Sequence, residues 1–510
     1  MLITAERDGY FAVTAATICK SVRVVSASTY DQSCCSQLKV RPLHQSNSSA
    51  APAEHTPETR TELVRGLGLP QSIALNISNM VGIGPFITIP GFIAAMHGPQ
   101  ALIAWVVAAV LVICDGLVWS ELGAALPGSG GTYHFLREIF GKRDAGWQRM
   151  LPFLFVWQFL VSGTMEVASG YIGAMPYVEF IYPGLSDTLH AWHVPGGTST
   201  MAACCCLIVT WMLSRQINVI GWFGIVLCTG TILTVVTVIV SGLTHFNDSL
   251  LTLPPDAFRI DGKWVNGLGA AMLIAIYDYL GYYNICHLGE EVRDPGKTIP
   301  RAVITSVVVV AAVYLLMNVS IIAVIPWEQA MKSEQIASLF METLYGRRIA
   351  VLFTGLILWT VLACMFAITL GYSRIPFAAA KNGDFLAIFA RVHPTKKYPI
   401  VSLWTLGVLT AIFCYLPLQT VIETAVTVRI LVQFVAQIFG LHVLRTTRPD
   451  IVMPFRMWLY PLPSLIALLG WLFVLGTRLQ LLGTAVGVIV SGIVVYQIFL
   501  AKSVVKSNPS

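Results

Sequence analysis

Two stretches of this apolar chain combine helix-breaking residues with residues that can bind a small polar molecule. The first reads Asn79-Met-Val-Gly-Ile-Gly-Pro-Phe86, and the second reads Ile276-Tyr-Asp-Tyr-Leu-Gly-Tyr-Tyr-Asn284. Glycine weakens a helix, and proline removes a backbone donor. In lipid, a freed backbone group costs several kcal/mol unless protein, ligand or a water-filled cavity satisfies it. Broken helices at these places therefore predict a binding site inside the membrane.

The two breaks offer partners for both ends of a zwitterion. At the first break, the amides that start the second half-helix favour a carboxylate, and Pro85 fits such a start. The carbonyls that end the first half, from Asn79 to Val81, favour an ammonium group, and those of Ile276 and Tyr277 can repeat this arrangement. We therefore expect an amino acid to be bound by the following residues: Val81, Gly82, Ile83, Gly84, Glu166, Ile276, Tyr277 and Asp278.

Three carboxylates, Asp115, Glu166 and Asp278, lie near the middles of apolar segments. A central charge costs about 2.5–3.5 kcal/mol on insertion scales, so each needs a partner or a role. Glu166 and Asp278 are candidates for proton coupling, and Glu166 could also bind a cation. For Asp115, and for Glu121 nearer the end of its segment, we favour structural hydrogen bonds or ion pairs. Arg429 could neutralise one of these acids.

The composition indicates a polytopic membrane protein. Of its 510 residues 56% are hydrophobic and only 11% are charged, whereas soluble domains carry about 25% charged residues. The net charge of +6 fits basic loops on one side of a membrane, not nucleic-acid binding. The 11 cysteines lack metal-ligand spacing and are interpreted as packing residues. We therefore expect no metal, cofactor or enzyme activity.

Twelve segments are apolar and about long enough to cross a bilayer, which predicts an all-α fold. They are residues 69–95, 101–126, 151–177, 201–213, 219–243, 267–288, 302–325, 349–379, 400–416, 418–444, 459–477 and 479–500. With the amino terminus inside, the inside loops carry 17 Lys and Arg residues and the outside loops carry 6. The positive-inside rule thus places both termini in the cytoplasm of a multi-pass cell-membrane protein.

The interrupted segments are the first and the sixth. Two interrupted segments at corresponding places in two halves indicate a transporter built from repeats. Because five crossings are an odd number, the second copy is inverted. We expect repeat one at 68–243, repeat two at 266–444, and two peripheral helices at 458–500, within a membrane domain spanning 61–510. Residues 1–60 are polar and predict a disordered tail, although a misassigned start codon would give the same pattern.

Four motifs resemble those of the amino acid–polyamine–organocation (APC) superfamily. The glycine-rich run at the first break resembles its Gly-Ser-Gly-Ile-Phe motif. The other three follow the second, sixth and eighth segments: Pro127-Gly-Ser-Gly-Gly-Thr-Tyr133, Glu290-Glu-Val-Arg-Asp-Pro-Gly-Lys-Thr-Ile-Pro-Arg-Ala302 and Arg374-Ile-Pro-Phe-Ala-Ala-Ala-Lys-Asn-Gly-Asp384. The resemblance implies a five-plus-five inverted repeat, alternating access, and transport of amino acids or amines.

The chain departs from the superfamily pattern in two ways and matches some of its members at a third position. Ile83 replaces a small polar residue and Pro85 an apolar one, so one side-chain contact to a substrate carboxylate is missing. The fifth segment has no lysine, which some proton-coupled relatives carry there. Glu166 stands where polyamine-transporting relatives often have an acid. The acid at Glu166 makes polyamines the alternative substrate class.

The leading hypothesis is a secondary amino acid transporter, driven by protons or by exchange. The substrate would bridge the two broken helices while segments one, two, six and seven rock against segments three, four, eight and nine. A polyamine or organic-cation transporter is the alternative. A nutrient sensor that binds without transporting is a further hypothesis from a different class. A membrane enzyme has the least support, since the segments contain no evident nucleophile–base pair.

Overall fold

The computed structural model describes residues 66–507 apart from 83, 142–145, 216–219 and 397. The predicted tail at 1–60 lies outside the described residues. Within them the fold is all-helical, and the only β-structure consists of isolated bridges such as Leu67 with Val292. The all-α prediction is therefore confirmed.

The helices follow the apolar segments of the sequence. Up to the second break they are α1 (Leu69–Met80), α2 (Gly84–Met96), α3 (Leu102–Ala125), α4 (Thr132–Leu136), α5 (Gly146–Ile181), α6 (Leu185–Ala191), α7 (Thr198–Leu213), α8 (Ile220–Thr244) and α9 (Gly262–Tyr279). After it they are α10 (Asn284–His287), α11 (Pro295–Ile322), α12 (Trp327–Ala330), α13 (Ile336–Tyr372), α14 (Arg374–Lys381), α15 (Ile400–Phe413), α16 (Leu418–Arg429), α17 (Ala436–Thr447), α18 (Leu462–Thr477) and α19 (Leu479–Ser507). A π-helical stretch, Ile430–Val435, joins α16 to α17.

Helix length separates clear membrane spans from shorter ones. Six helices in the described chain are long and apolar enough to cross a membrane, and α1 with α2 forms a seventh candidate if the bent pair is one span. Four further apolar helices have 10–17 residues. The eighth segment differs from expectation, because α13 starts earlier and is kinked at Gly346, where φ is 79°. The protein is thus a multi-pass membrane protein, while the total of twelve spans stays a prediction.

Two sets of helices pack internally and position the two breaks. The first set comprises α1, α2, α3, α9 and α11, and the second comprises α5, α7, α13 and α15. Aromatic rings stiffen the first set, since Trp105 of α3 contacts Tyr279 of α9 and Tyr314 of α11 at centroid distances of 5.5 and 5.4 Å. Edge-to-face aromatic pairs add to the energy of burial. Each set can therefore hold its half of a shared site.

Candidate functional site

The first break lies between α1 and α2, whose axes differ by 53°. α1 ends at Met80 and α2 begins at Gly84, so Val81 and Gly82 are non-helical. The Val81 amide still closes the last turn of α1 by donating to a carbonyl four residues earlier (2.7 Å). Ile83 lies outside the described residues. The predicted interruption of this segment is confirmed.

The second break separates α9 from α10 and runs from Leu280 to Tyr283. Gly281 has a φ of 110°, which only glycine adopts readily. A side-chain carbon at Gly281 would lie 3.1 Å from the Asn79 backbone, so the two breaks are in contact. Asp278, which we expected inside the interruption, lies instead in the last turn of α9. The helix persists through it because Gly281, rather than the aspartate, changes the backbone direction.

Two buried side chains that the sequence pattern did not single out satisfy backbone groups at the breaks. Asn76 Nδ2 donates to the Tyr282 carbonyl (2.7 Å), and its Oδ1 accepts from the Ile285 amide (2.9 Å). The Tyr314 hydroxyl donates to the Met80 carbonyl (2.5 Å). The same carbonyl also accepts from the Gly82 amide (3.0 Å). The ammonium contact expected from the carbonyls of Asn79 to Val81 stays a prediction. A polar residue on an apolar face was the only available signal for either residue.

Asp278 is buried beside the start of α2. Its Oδ2 accepts a hydrogen bond from the Thr88 hydroxyl (2.6 Å), while its Oδ1 has no partner among the described residues. A side-chain carbon on Gly84 would overlap that oxygen and lie 3.3 Å from Asp278 Cγ. A carboxylate at a helix start interacts favourably with the helix dipole. Gly84 thus permits a close approach of this carboxylate to the backbone of α2.

Glu166 forms a buried ion pair that joins α5 to α16. Arg429 Nη2 lies 2.5 Å from Glu166 Oε2, and the Tyr372 hydroxyl donates to the same oxygen (2.8 Å). Arg429 Nε donates to Ser162 (3.1 Å). The structure therefore identifies Glu166 as the acid that Arg429 neutralises, a choice that spacing left open. Losing one partner of such a pair would leave a buried charge uncompensated.

The other two acids have structural partners. Asp115 accepts hydrogen bonds from the Tyr282 hydroxyl and from Trp471 Nε1, the latter at 3.0 Å. Glu121 pairs with Arg445 through two hydrogen bonds of 2.6 and 2.8 Å. The predicted pairing of Glu121 is confirmed. Asp115 links α3 to the second break and to α18, which accounts for its place in an apolar segment.

Replacing Tyr282 with phenylalanine should destabilise the protein by about 1–3 kcal/mol, because one buried oxygen of Asp115 loses its donor. We expect a lower thermal midpoint in fluorescence-detected size-exclusion chromatography. Tyr279→Phe is the matched control, since the Tyr279 hydroxyl makes no hydrogen bond among the described residues. Equal midpoints for the two variants would contradict a structural role for the Tyr282–Asp115 contact.

A small cavity of about 30 Å³ lies where the two breaks meet α5 and α13. It is lined by Asn79, Met80, Gly82, Gly84, Glu166, Tyr277, Asp278, Leu280, Cys364, Met365 and Ile368. Five of the predicted site residues thus come together here. Val81 and Ile276 are buried in the adjoining segments, next to lining residues, and do not line the cavity themselves. The substrate-binding role of these residues stays a prediction.

The second break and the end of α9 contain four tyrosines, and only Tyr277 lines the cavity. The other three are Tyr279, Tyr282 and Tyr283. The Tyr277 hydroxyl hydrogen-bonds to that of Ser169 on α5 (2.5 Å), which links the two helix sets. Tyr283 instead stacks on Trp119 with ring centroids 4.3 Å apart, and Tyr279 packs against Trp105. At most one of these rings could therefore form a wall of the site.

The loop motifs lie together beyond the ends of the helices. The Tyr133 hydroxyl donates to Asp384 (2.6 Å), and Arg137 pairs with the same carboxylate (2.9 Å). Burial and this hydrogen bond raise the pKa of Tyr133, so the phenol stays protonated and remains a donor. The Gly130 amide donates to the His287 carbonyl (3.0 Å). The motif after the second segment thus contacts both the motif after the eighth segment and the end of the sixth segment.

A second cavity, of about 330 Å³, lies at the opposite ends of α5 and α13. Its lining consists of Pro176, Glu179, Phe180, Pro183, Gly184, Glu334, Gln335 and Arg347. The Arg347 guanidinium stacks 3.8 Å above the Phe180 ring. This cavity includes none of the predicted site residues.

Comparison with known proteins points to one family. A family model described as amino acid permease matches residues 67–503. A serine/threonine exchanger of Bacillus subtilis, SteT, is 25% identical over 429 residues, which cover 82% of this chain and 92% of the exchanger. The human large neutral amino acids transporter small subunit 2 is 26% identical over 88% of this chain and 83% of its own length. Mouse Asc-type amino acid transporter 1 is 26% identical over 82% of this chain and 77% of its own length.

The matched region includes both breaks, all four motifs and the cavity between α1, α5, α9 and α13. The resemblance suggested by the motifs is therefore confirmed. This chain belongs to the amino acid permease family of the APC superfamily.

Proposed function

We propose that this protein is a secondary active transporter that moves amino acids across the cell membrane by alternating access, coupled to protons or to exchange. The observation that carries the proposal is the cavity at two broken helices that contact each other. It combines the start of α2, which favours an anion, with a carboxylate, which favours an ammonium group or a proton. Family membership and the amino acid transporters among its relatives support the same conclusion.

The position of the cavity supports a rocking mechanism. Gly82 and Asp278 belong to the first helix set, whereas Glu166 and Met365 belong to the second. Movement of one set against the other would therefore change access to the cavity. The small volume implies that the lining must move to admit an amino acid. Obligatory exchange would require that this movement occurs only with a bound substrate.

The finer architecture is also proposed. Twelve spans would form two inverted repeats at 68–243 and 266–444 with peripheral helices at 458–500, and both termini would lie in the cytoplasm. The pairing of α1 with α2 and of α9 with α10 around the breaks supports a repeat. The excess of basic residues in alternate loops supports the orientation.

The site residues would have distinct roles. Backbone groups of Val81, Gly82, Ile83 and Gly84 would bind the substrate at the first break. Once the lining moves, the backbone carbonyls of Ile276 and Tyr277 would accept hydrogen bonds from its ammonium group. Asp278 is the better-supported proton carrier, since its carboxylate has no cationic partner in the described chain. Glu166, by contrast, is held by Arg429.

The same ion pair weighs against polyamines. The alternative depended on Glu166 offering a negative charge to a polycation. Because Arg429 lies 2.5 Å from its carboxylate, that charge is balanced within the protein. We therefore propose amino acids rather than polyamines as the substrate class.

Uptake into proteoliposomes tests this function. The purified full chain is reconstituted and supplied with radiolabelled serine, leucine, arginine or putrescine, under an imposed pH gradient or with unlabelled amino acid inside. We expect accumulation of at least one amino acid above that of protein-free liposomes. Uptake of putrescine alone would establish the alternative, and saturable binding without uptake would indicate a sensor.

A further inference from the structure

Asp278 lies beside the start of α2, the place where the proposed function puts the carboxylate of a bound amino acid. The start of α2 is the anion-favouring end at the first break, and the Asp278 carboxylate already occupies it beside Gly84. We propose that Asp278 is an internal competitor for the substrate carboxylate, so that an amino acid binds by displacing this side chain from the start of α2. The proposal rests on the proposed function and specifies how its site selects substrates.

Two contacts and the burial of its side chain define the competing position of Asp278. Thr88, in the second turn of α2, donates its hydroxyl to Asp278 Oδ2 (2.6 Å). The other oxygen, Oδ1, points at Gly84 and is buried without a hydrogen-bond partner among the described residues. Asp278 itself is only 3% exposed. An unpaired buried carboxylate oxygen is costly, so this arrangement is poised to change when a better partner arrives.

The protonation state of Asp278 determines whether it competes with the substrate carboxylate. Ionised Asp278 interacts favourably with the positive end of the α2 dipole and repels a second carboxylate, whereas protonated Asp278 does neither. Protonation should therefore release the position to the substrate. Amino acids should bind more tightly as the pH falls, and an amine without a carboxylate should show no such gain.

The other titratable groups around Asp278 do not produce this dependence. Glu166 is paired with Arg429 across the cavity. The remaining neighbours are phenols and a thiol, whose pKa values in water, about 10 and about 8.5, lie above the range from pH 5 to 8. They are Tyr277 and Tyr279 on the same helix, Tyr314 on α11 and Cys364 on α13.

The test measures binding of two matched ligands to the purified full chain at pH 5 to 8. Leucine carries the carboxylate, and 3-methylbutylamine is the same molecule without it. For Asp278→Asn we expect leucine to bind roughly threefold or more tightly at pH 7 than it binds the wild type, the size of a helix-terminus charge interaction. The variant should also lose the pH dependence of leucine binding. Its affinity for the amine should not rise.

Thr88 provides a second test that keeps the carboxylate. Thr88→Val removes the hydrogen bond that holds Asp278, so leucine should again bind more tightly while the pH dependence remains. Thr88→Ser keeps the hydroxyl and should match the wild type. Asp115→Asn, which alters a buried carboxylate outside the cavity lining, should leave the leucine affinity and its pH profile unchanged.

Two results would overturn the competitor role. If Asp278→Asn binds both leucine and the amine more weakly, Asp278 is an ammonium ligand. If its leucine affinity and pH profile equal those of the wild type, Asp278 carries no competing charge. Failure of the proposed function looks different, because then the wild type itself would bind neither leucine, serine nor arginine saturably at any pH.

Discussion

Replacing Gly84 with leucine should reduce amino acid uptake to the level of protein-free liposomes while the protein still inserts and folds. A side-chain carbon at this position overlaps Asp278 Oδ1 and lies 3.7 Å from the Tyr277 ring. A leucine side chain would therefore fill the cavity of about 30 Å³ and separate the substrate from the start of α2. Radiolabelled uptake, normalised to the amount of reconstituted protein, measures the effect.

Gly355→Leu is the matched control for this substitution. Gly355 lies on an exposed face of α13, and a side-chain carbon there meets no atom within 4 Å. It should transport at the wild-type rate. Normal transport by Gly84→Leu would place the substrate site elsewhere.

Removing the charge of Arg429 should have the largest effect on stability. Arg429→Gln leaves Glu166 buried without its counter-charge, and such a loss costs about 3–5 kcal/mol. Glu166→Gln likewise leaves the Arg429 guanidinium without its counter-charge, and Arg429 is fully buried. Each single variant should show a strongly lowered thermal midpoint in fluorescence-detected size-exclusion chromatography. For Arg429→Gln the loss would be structural, because Arg429, unlike Glu166, does not line the cavity.

The double variant separates the ion pair from the two side chains. Glu166→Gln combined with Arg429→Gln carries no buried charge, so it should lose less stability than the sum of the single variants. Additive losses would show that the two side chains do not act as a pair. Wild-type midpoints for both single variants would contradict the buried ion pair itself.

The breaks could be predicted because their causes are local. Glycine and proline act on the backbone at their own positions, so Gly82, Gly84 and Gly281 indicated where helices end. The prediction was less accurate for Asp278, which is helical. An acidic residue in an apolar segment indicates that its carboxylate needs a partner, but it does not indicate whether the helix ends there.

The partners could not be predicted because they are distant in the sequence. Arg429 is 263 residues from Glu166, and Thr88 is 190 residues from Asp278. Only the packing of α5 against α16, and of α2 against α9, brings each pair together. Periodicity identifies a helix and its buried face, whereas it leaves open which buried faces meet. The occupation of the α2 start by Asp278 therefore became evident only from the structure.

A structure of the full chain at a saturating concentration of a transported amino acid tests the central claim most directly. We predict the ligand between the two breaks, with its carboxylate within hydrogen-bond distance of the first amides of α2 and with Asp278 turned away from Gly84. A ligand found only elsewhere, for example in the cavity lined by Glu179 and Arg347, would contradict the claim.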